Sequence, residues 1–266
     1  MKKRNINLLV KTLATAQLVA MMLPMVTLSQ GTNVGDNNSR LRVVTAAENK
    51  TPVETDKRVQ SHGLPWRFAK TPVFDKDRPR VLLIGDSILN GYLPHVKSSL
   101  EGKAYVDAWV NPYHHSKSFN EVLAHNLTNG PYAVIHINLG LHGFQNGRIP
   151  AGQYEPLTRS IIEVIQQQCP KAQIIWATTT PIIAKDKPIR IDPELNPIIV
   201  AQNQIAKMLM MEMRVHVDDL YAVATNQLDH AAGGGDQFHW QSSGYKVFGT
   251  AVANEISAVL SDKKTP

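Results

Sequence analysis

Residues 80–92 read RVLLIGDSILNGY: a short apolar run from Val81 to Ile84, the tight polar turn Gly85-Asp86-Ser87, then a helix-compatible segment. A turn of this kind at the carboxyl end of a strand is where open α/β sheets place ligands. A serine there carries its hydroxyl at the rim of the sheet and its own N–H at the start of a helix, where negative charge is favoured. The position suits a nucleophile that must build an oxyanion beside itself. The same residues also suit a helix cap, the commoner use of Ser and Asp before a helix.

Outward from this stretch the pattern alternates. A helix-like segment covers 88–100, a strand follows at 104–110 (AYVDAWV), then a loop NPYHHSKS and a short helix at 119–127. The third strand is 132–138 (YAVIHIN). Leu157, Ile161, Ile162 and Ile165 give helical spacing to 154–168, and 173–178 (QIIWAT) is the fourth strand. A Pro-rich loop at 181–197 leads into a long helix ending near Met213, a short fifth strand at 215–217 and a helix opened by 218–221. A glycine-rich loop at 231–235 precedes the last helix, which runs from Ser242 or Ser243 to about Leu260. Strands alternating with helices imply an α/β fold of parallel βαβ units, a three-layer αβα sandwich with a central parallel five-stranded sheet. The strands are nearly continuous apolar runs, as expected when both faces are covered. Residues 62–76 read as a lead-in that packs on the domain edge, with Trp66 in it.

The first 29 residues are a different material. Lys2, Lys3 and Arg4 open the chain, an apolar run from Leu13 to Leu28 follows, and small residues close it. This is the plan of a secretory signal peptide. Pro24 and the limited apolar length disfavour the rival, an uncleaved anchor. Residues 30–62, rich in Asn, Gly, Thr, Lys and Glu, read as a flexible linker, and 63–262 as one domain. The reading makes the protein exported, periplasmic or extracellular, with no stable membrane insertion after cleavage. The formal charge of +6 falls to +2 once the four cations of residues 1–29 are removed, so nothing electrostatic argues for nucleic acid. The single cysteine, Cys169, excludes an intramolecular disulfide and reads as a structural thiol.

The second informative stretch is 233–249, GGGDQFHWQSSGYKVFG. Asp236 and His239 stand three residues apart, between a flexible loop and a helix. A carboxylate at that spacing can take the N–H of one imidazole nitrogen, leaving the other as general base. With Ser87 this is a complete set of nucleophile, base and orienting acid. A metal reading, with His230, Asp236 and His239 as ligands, lacks clean ligand spacing elsewhere.

GDS at a first strand end, with D-x-x-H and then GY near the C-terminus, resembles the SGNH (GDSL-type) hydrolase family. The likeness spans about residues 64–262. It implies a flavodoxin-like sandwich, ester hydrolysis, and no metal or organic cofactor. It makes Ser87 the nucleophile, His239 the base and Asp236 the orienting acid. The family's oxyanion hole adds a glycine N–H after the second strand and an asparagine in G-x-N-D. Here the latter motif reads Gly140-Leu141-His142-Gly143, with His142 in the asparagine's place, and the former loop begins Asn111-Pro112-Tyr113-His114-His115-Ser116. A neutral His142 can still donate an N–H, and a backbone N–H around His115 or Ser116 is the expected substitute for the glycine donor. Tyr113, His114, His115 and Trp240 are expected at the same rim, with Arg190 reaching over it. The expected substrate is a small or saccharide ester of a short acyl group, acetyl first. Acyl transfer or lipid hydrolysis on the same fold, or saccharide binding with weak catalysis, are the alternatives.

Overall fold

The computed structural model describes residues 67–144 and 148–262. The expected signal peptide and linker, and Trp66, lie outside the described residues. The strands are β1 (Arg67–Ala69), β2 (Arg80–Gly85), β3 (Tyr105–Val110), β4 (Val134–Asn138), β5 (Gln173–Ala177) and β6 (His216–Asp218). They form a sheet in the order β1-β3-β2-β4-β5-β6. The five strands β2 to β6 are parallel, as expected. The lead-in adds a sixth: β1 runs antiparallel along β3, with Arg67 opposite Val110 and Ala69 opposite Ala108. Three residues carry no readable alternation, so this strand is defined by its partner.

Alternation along β2 shows why both faces need cover. Val81 and Leu83 enter one apolar cluster, Leu82 and Ile84 the other, and all four are fully buried. The first cluster is roofed by α1 (Ser87–Ser99), α5 (Leu220–Thr225) and α6 (Ser242–Asp262). The second is roofed by α2 (Phe119–Leu127), α3 (Tyr154–Gln168) and α4 (Asn196–Glu212). Where α1 crosses α6, a Cβ on Gly249 would stand 2.4 Å from His95 Cβ and 3.0 Å from the Tyr92 carbonyl oxygen, so only glycine allows this approach.

The edge is fastened by one buried carboxylate. Asp107 of β3 accepts from the Thr71 N–H at 2.8 Å, from the Tyr132 hydroxyl at 3.0 Å and from the Arg80 guanidinium. A buried charge needs such partners.

The stretch at 231–235 is more ordered than a loop. β7 (Ala231–Gly233) pairs antiparallel with β8 (Asp236–Trp240) in a separate two-stranded hairpin. Gly233, Gly234 and Gly235 all have positive φ, the geometry its tight turn requires.

Candidate active site

In the sheet, Gly85 lies opposite Val110 of β3 and Asn138 of β4. The loops after these three neighbouring strands therefore leave the same edge together. The strand order reverses between β2 and β4, and the helices that follow them, α1 and α3, lie on opposite faces, which opens a crevice there. Ser87 stands there as the first residue of α1. Asp86 caps the helix, its carboxylate accepting from the Ile88 N–H at 2.9 Å. The capping role thus belongs to Asp86, which leaves the Ser87 hydroxyl available.

That hydroxyl lies 3.0 Å from His239 Nε2. On the far side of the ring, Nδ1 lies 2.9 and 3.2 Å from the two carboxylate oxygens of Asp236. Partners three apart on a regular strand point to opposite faces. Here Asp236 Oδ1 also accepts from the N–H groups of Phe238 and His239, at 3.0 and 3.1 Å, and the bend brings the imidazole back over its own carboxylate. The hairpin is fixed from outside as well. The Ile183 N–H donates to the Gln237 carbonyl at 2.8 Å, and the Gln237 side chain donates to Asp192 at 2.9 Å.

The electrostatics follow from this wiring. Partial burial works to raise the Asp236 carboxyl, but the Phe238 and His239 N–H bonds, then the imidazole, outweigh it and hold the group below the usual carboxylate range. An ionised Asp236 only accepts, so Nδ1 carries the proton and Nε2 is free to accept from Ser87. Asp86 behaves in the opposite sense. Burial raises its carboxyl to about 6, against the Ile88 hydrogen bond and the attraction of His239.

The remaining expected residues divide. His142 is half-buried on the loop after β4, its ring edge-on to Tyr113 at 5.6 Å. Gly140 on that loop serves close packing, since a Cβ would stand 1.8 Å from Thr179 Oγ1. Asn111 is fully buried, and its side-chain oxygen accepts from the Tyr113 N–H at 2.9 Å, so it shapes the loop. The Ser116 N–H donates to the Tyr113 carbonyl at 2.9 Å and cannot serve an oxyanion. Trp240 corrects the expectation of a rim residue: it is buried, packs edge-on against Phe248 at 4.9 Å and belongs to the core. His114 is buried too, and desolvation first, then His115 and His142, push it down to about 3, which keeps it neutral. Arg190 is on an exposed loop, where its guanidinium pairs with Asp186 at 2.6 and 3.0 Å. His230 meets Ser243 at 2.8 Å rather than joining Asp236 and His239. Burial raises the Cys169 thiol, as a structural role requires.

One residue at the rim escaped the sequence reading. Arg148, between β4 and α3, lies 5.7 Å from the centroid of the Tyr113 ring and donates to the His142 carbonyl at 3.3 Å. A lone arginine in the Gly- and Pro-containing stretch 146–152 carries no spacing signal.

No family model matches the chain, and no curated protein matches it. Solved structures do. A carbohydrate acetylesterase from Sinorhizobium meliloti is similar with a TM-score of 0.57 at 12% identity, over 68% of this chain and 100% of that one. An acetylxylan esterase from Geobacillus stearothermophilus gives 0.54 at 16% identity, over 67% and 94%. An alpha/beta hydrolase from the metagenome of Lake Arreo, Spain, gives 0.52 at 13%, over 68% and 96%. At such identities the likeness establishes the fold. It is an α/β sandwich with a mainly parallel sheet, the architecture that the sequence resemblance implied.

Proposed function

We propose that this protein is a serine esterase that hydrolyses short acyl esters, acetyl foremost, on saccharides. The observation that carries the reading is the unbroken hydrogen-bonded series from Ser87 through His239 to Asp236. In this mechanism Ser87 Oγ attacks the ester carbonyl carbon while Nε2 of His239 takes the hydroxyl proton. Asp236 holds the ring and stabilises the imidazolium that forms. The tetrahedral oxyanion lies near the start of α1, with His142 as a side-chain donor. Collapse expels the alcohol, which takes the proton from His239. Water, deprotonated by the same nitrogen, then releases the acid and restores Ser87.

The saccharide substrate is supported by the names of two structural neighbours, an acetylxylan esterase and a carbohydrate acetylesterase. It also agrees with the open position of the base: the His239 side chain is 43% exposed, which gives bulky alcohols access. Export through residues 1–29 belongs to the same reading, and among the described residues no helix is long and apolar enough to cross a membrane.

The test is mass spectrometry of the protein after treatment with a fluorophosphonate. The expected result is a single adduct on Ser87, lost in Ser87→Ala together with hydrolysis of acetylated saccharides. A folded protein that forms no adduct and hydrolyses no ester would overturn the reading.

A further inference from the structure

The rim of this site holds a positive charge that ester hydrolysis itself does not use. A cavity of about 390 Å³ is lined by His115 from the loop after β3 and by Arg148, Ile149, Pro150, Gln153 and Leu157 from the connection after β4 and the start of α3. The two segments leave the strands on either side of β2, which delivers Ser87. The cavity therefore lies among loops at the same end of the sheet as Ser87.

Arg148 is held in place there. Its guanidinium stacks near the buried Tyr113 ring and gives one N–H to the His142 carbonyl. Tyr113 in turn meets the rings of His115 and His142 edge-on, at 5.7 and 5.6 Å. One carbonyl takes one of five guanidinium donors. Other arginines of the chain reach acids: Arg80 finds Asp107, Arg159 finds Glu155 and Glu212, and Arg190 finds Asp186. Among the described residues no carboxylate pairs with Arg148. Ile149, Pro150 and Leu157 make part of the wall apolar, which strengthens a charged contact made against it. A fixed guanidinium with spare donors is suited to bidentate capture of a carboxylate.

Resting on the esterase reading, we propose that the substrate carries a carboxylate, held by Arg148 in this cavity while its ester carbonyl meets Ser87. Two sources share this chemistry: a uronate in the saccharide, or the free carboxylate of a dicarboxylic acyl group.

The test compares kcat/KM for three probes: the O-acetyl ester of methyl galacturonoside, the same ester of neutral methyl galactoside, and the succinyl half-ester of methyl galactoside. Wild type is expected to favour one carboxylate-bearing probe over the neutral one by about tenfold or more, the scale of a hydrogen bond to a charged group. Arg148→Gln should erase that preference, and Arg148→Lys should keep part of it. Because the preference is a ratio within each variant, a general loss of activity does not enter it. Which probe is favoured assigns the carboxylate to the alcohol or the acyl side. Equal rates on all three, or a preference that survives in Arg148→Gln, overturn the proposal. If no probe is hydrolysed and Ser87 forms no adduct, it is the esterase reading that fails. Calorimetric titration with galacturonate oligosaccharides then decides the anion site: binding weakened about fivefold or more in Arg148→Gln retains it, and no binding removes it.

Discussion

Asp86 and Ser87 are neighbours with opposite duties, and burial separates them. Asp86 is 2% exposed and its carboxyl is raised to about 6 from the ordinary 3.8. Between those values the folded protein keeps a proton that the unfolded chain has released. Stability therefore falls as pH rises from about 4 through 6, and above that the buried charge costs the fold roughly 3 kcal/mol. Asparagine keeps a side-chain oxygen for the Ile88 N–H. Asp86→Asn is thus expected to gain stability relative to wild type by up to about 3 kcal/mol between pH 4 and pH 8. Urea denaturation at the two pH values checks this, and a pH-independent difference would refute an ionising Asp86. His142 gives a second prediction. If its ring donates to the oxyanion, His142→Ala should lower kcat by about 10²–10³ and leave KM nearly unchanged. An unaltered kcat in steady-state assays removes His142 from that role. The series Ser87, His239, Asp236 was legible because each residue type has a restricted chemistry and the spacing D-x-x-H allows one imidazole to be gripped. Arg148 was not legible, because its partner is a ring 35 positions away in the chain that only the fold brings beneath it.

At the scale of elements, the critical contact is α1 against α6. The first carries Ser87 at its start, and the second directly follows the strand that carries His239. Gly249 sets their separation. Alanine there gains up to about 1 kcal/mol in helix propensity, but its methyl meets His95 Cβ at 2.4 Å, an atom next to the backbone that cannot swing away. Overpacking of this kind costs about 1–3 kcal/mol. Gly249→Ala is expected to lose net stability in urea denaturation and, on the proposed esterase reading, to lose ester hydrolysis as well, because a displaced helix moves Ser87 from His239. Activity unchanged at lowered stability would mean that the separation does not matter to the site. The long parallel strands were legible because burial on both faces makes each one an apolar run. β1 and the β7–β8 hairpin were not: β1 and β7 have three residues each, too few for alternation to announce them. Trp240 was misplaced for a related reason. Adjacent side chains of β8 point opposite ways, so the residue after His239 turns into the core toward Phe248.

At the scale of the molecule, one sheet supplies the site's loops from neighbouring strand ends and two helical layers exclude water from both faces. Asp107 fastens the lead-in after β1 to this body through Thr71, Arg80 and Tyr132. The domain is proposed to be complete from residue 63. A chain begun there is expected to unfold in one cooperative transition within a few degrees of the midpoint of the longer protein, and calorimetry of the two checks it. A broad or much lower transition would mean that earlier residues belong to the domain.

The bond between Ser87 and His239 spans 152 positions of the chain. A ribosome makes protein from the N-terminus, at about 5–20 residues per second. Ser87 therefore waits some seconds for His239, and longer for α6 to close against α1. On the proposed esterase reading, a nascent chain that still lacks His239 has the Ser87 hydroxyl without its base and cleaves no ester while it is being made. On that reading, the onset of ester cleavage in a synthesis or refolding reaction would time the meeting of Ser87 with His239.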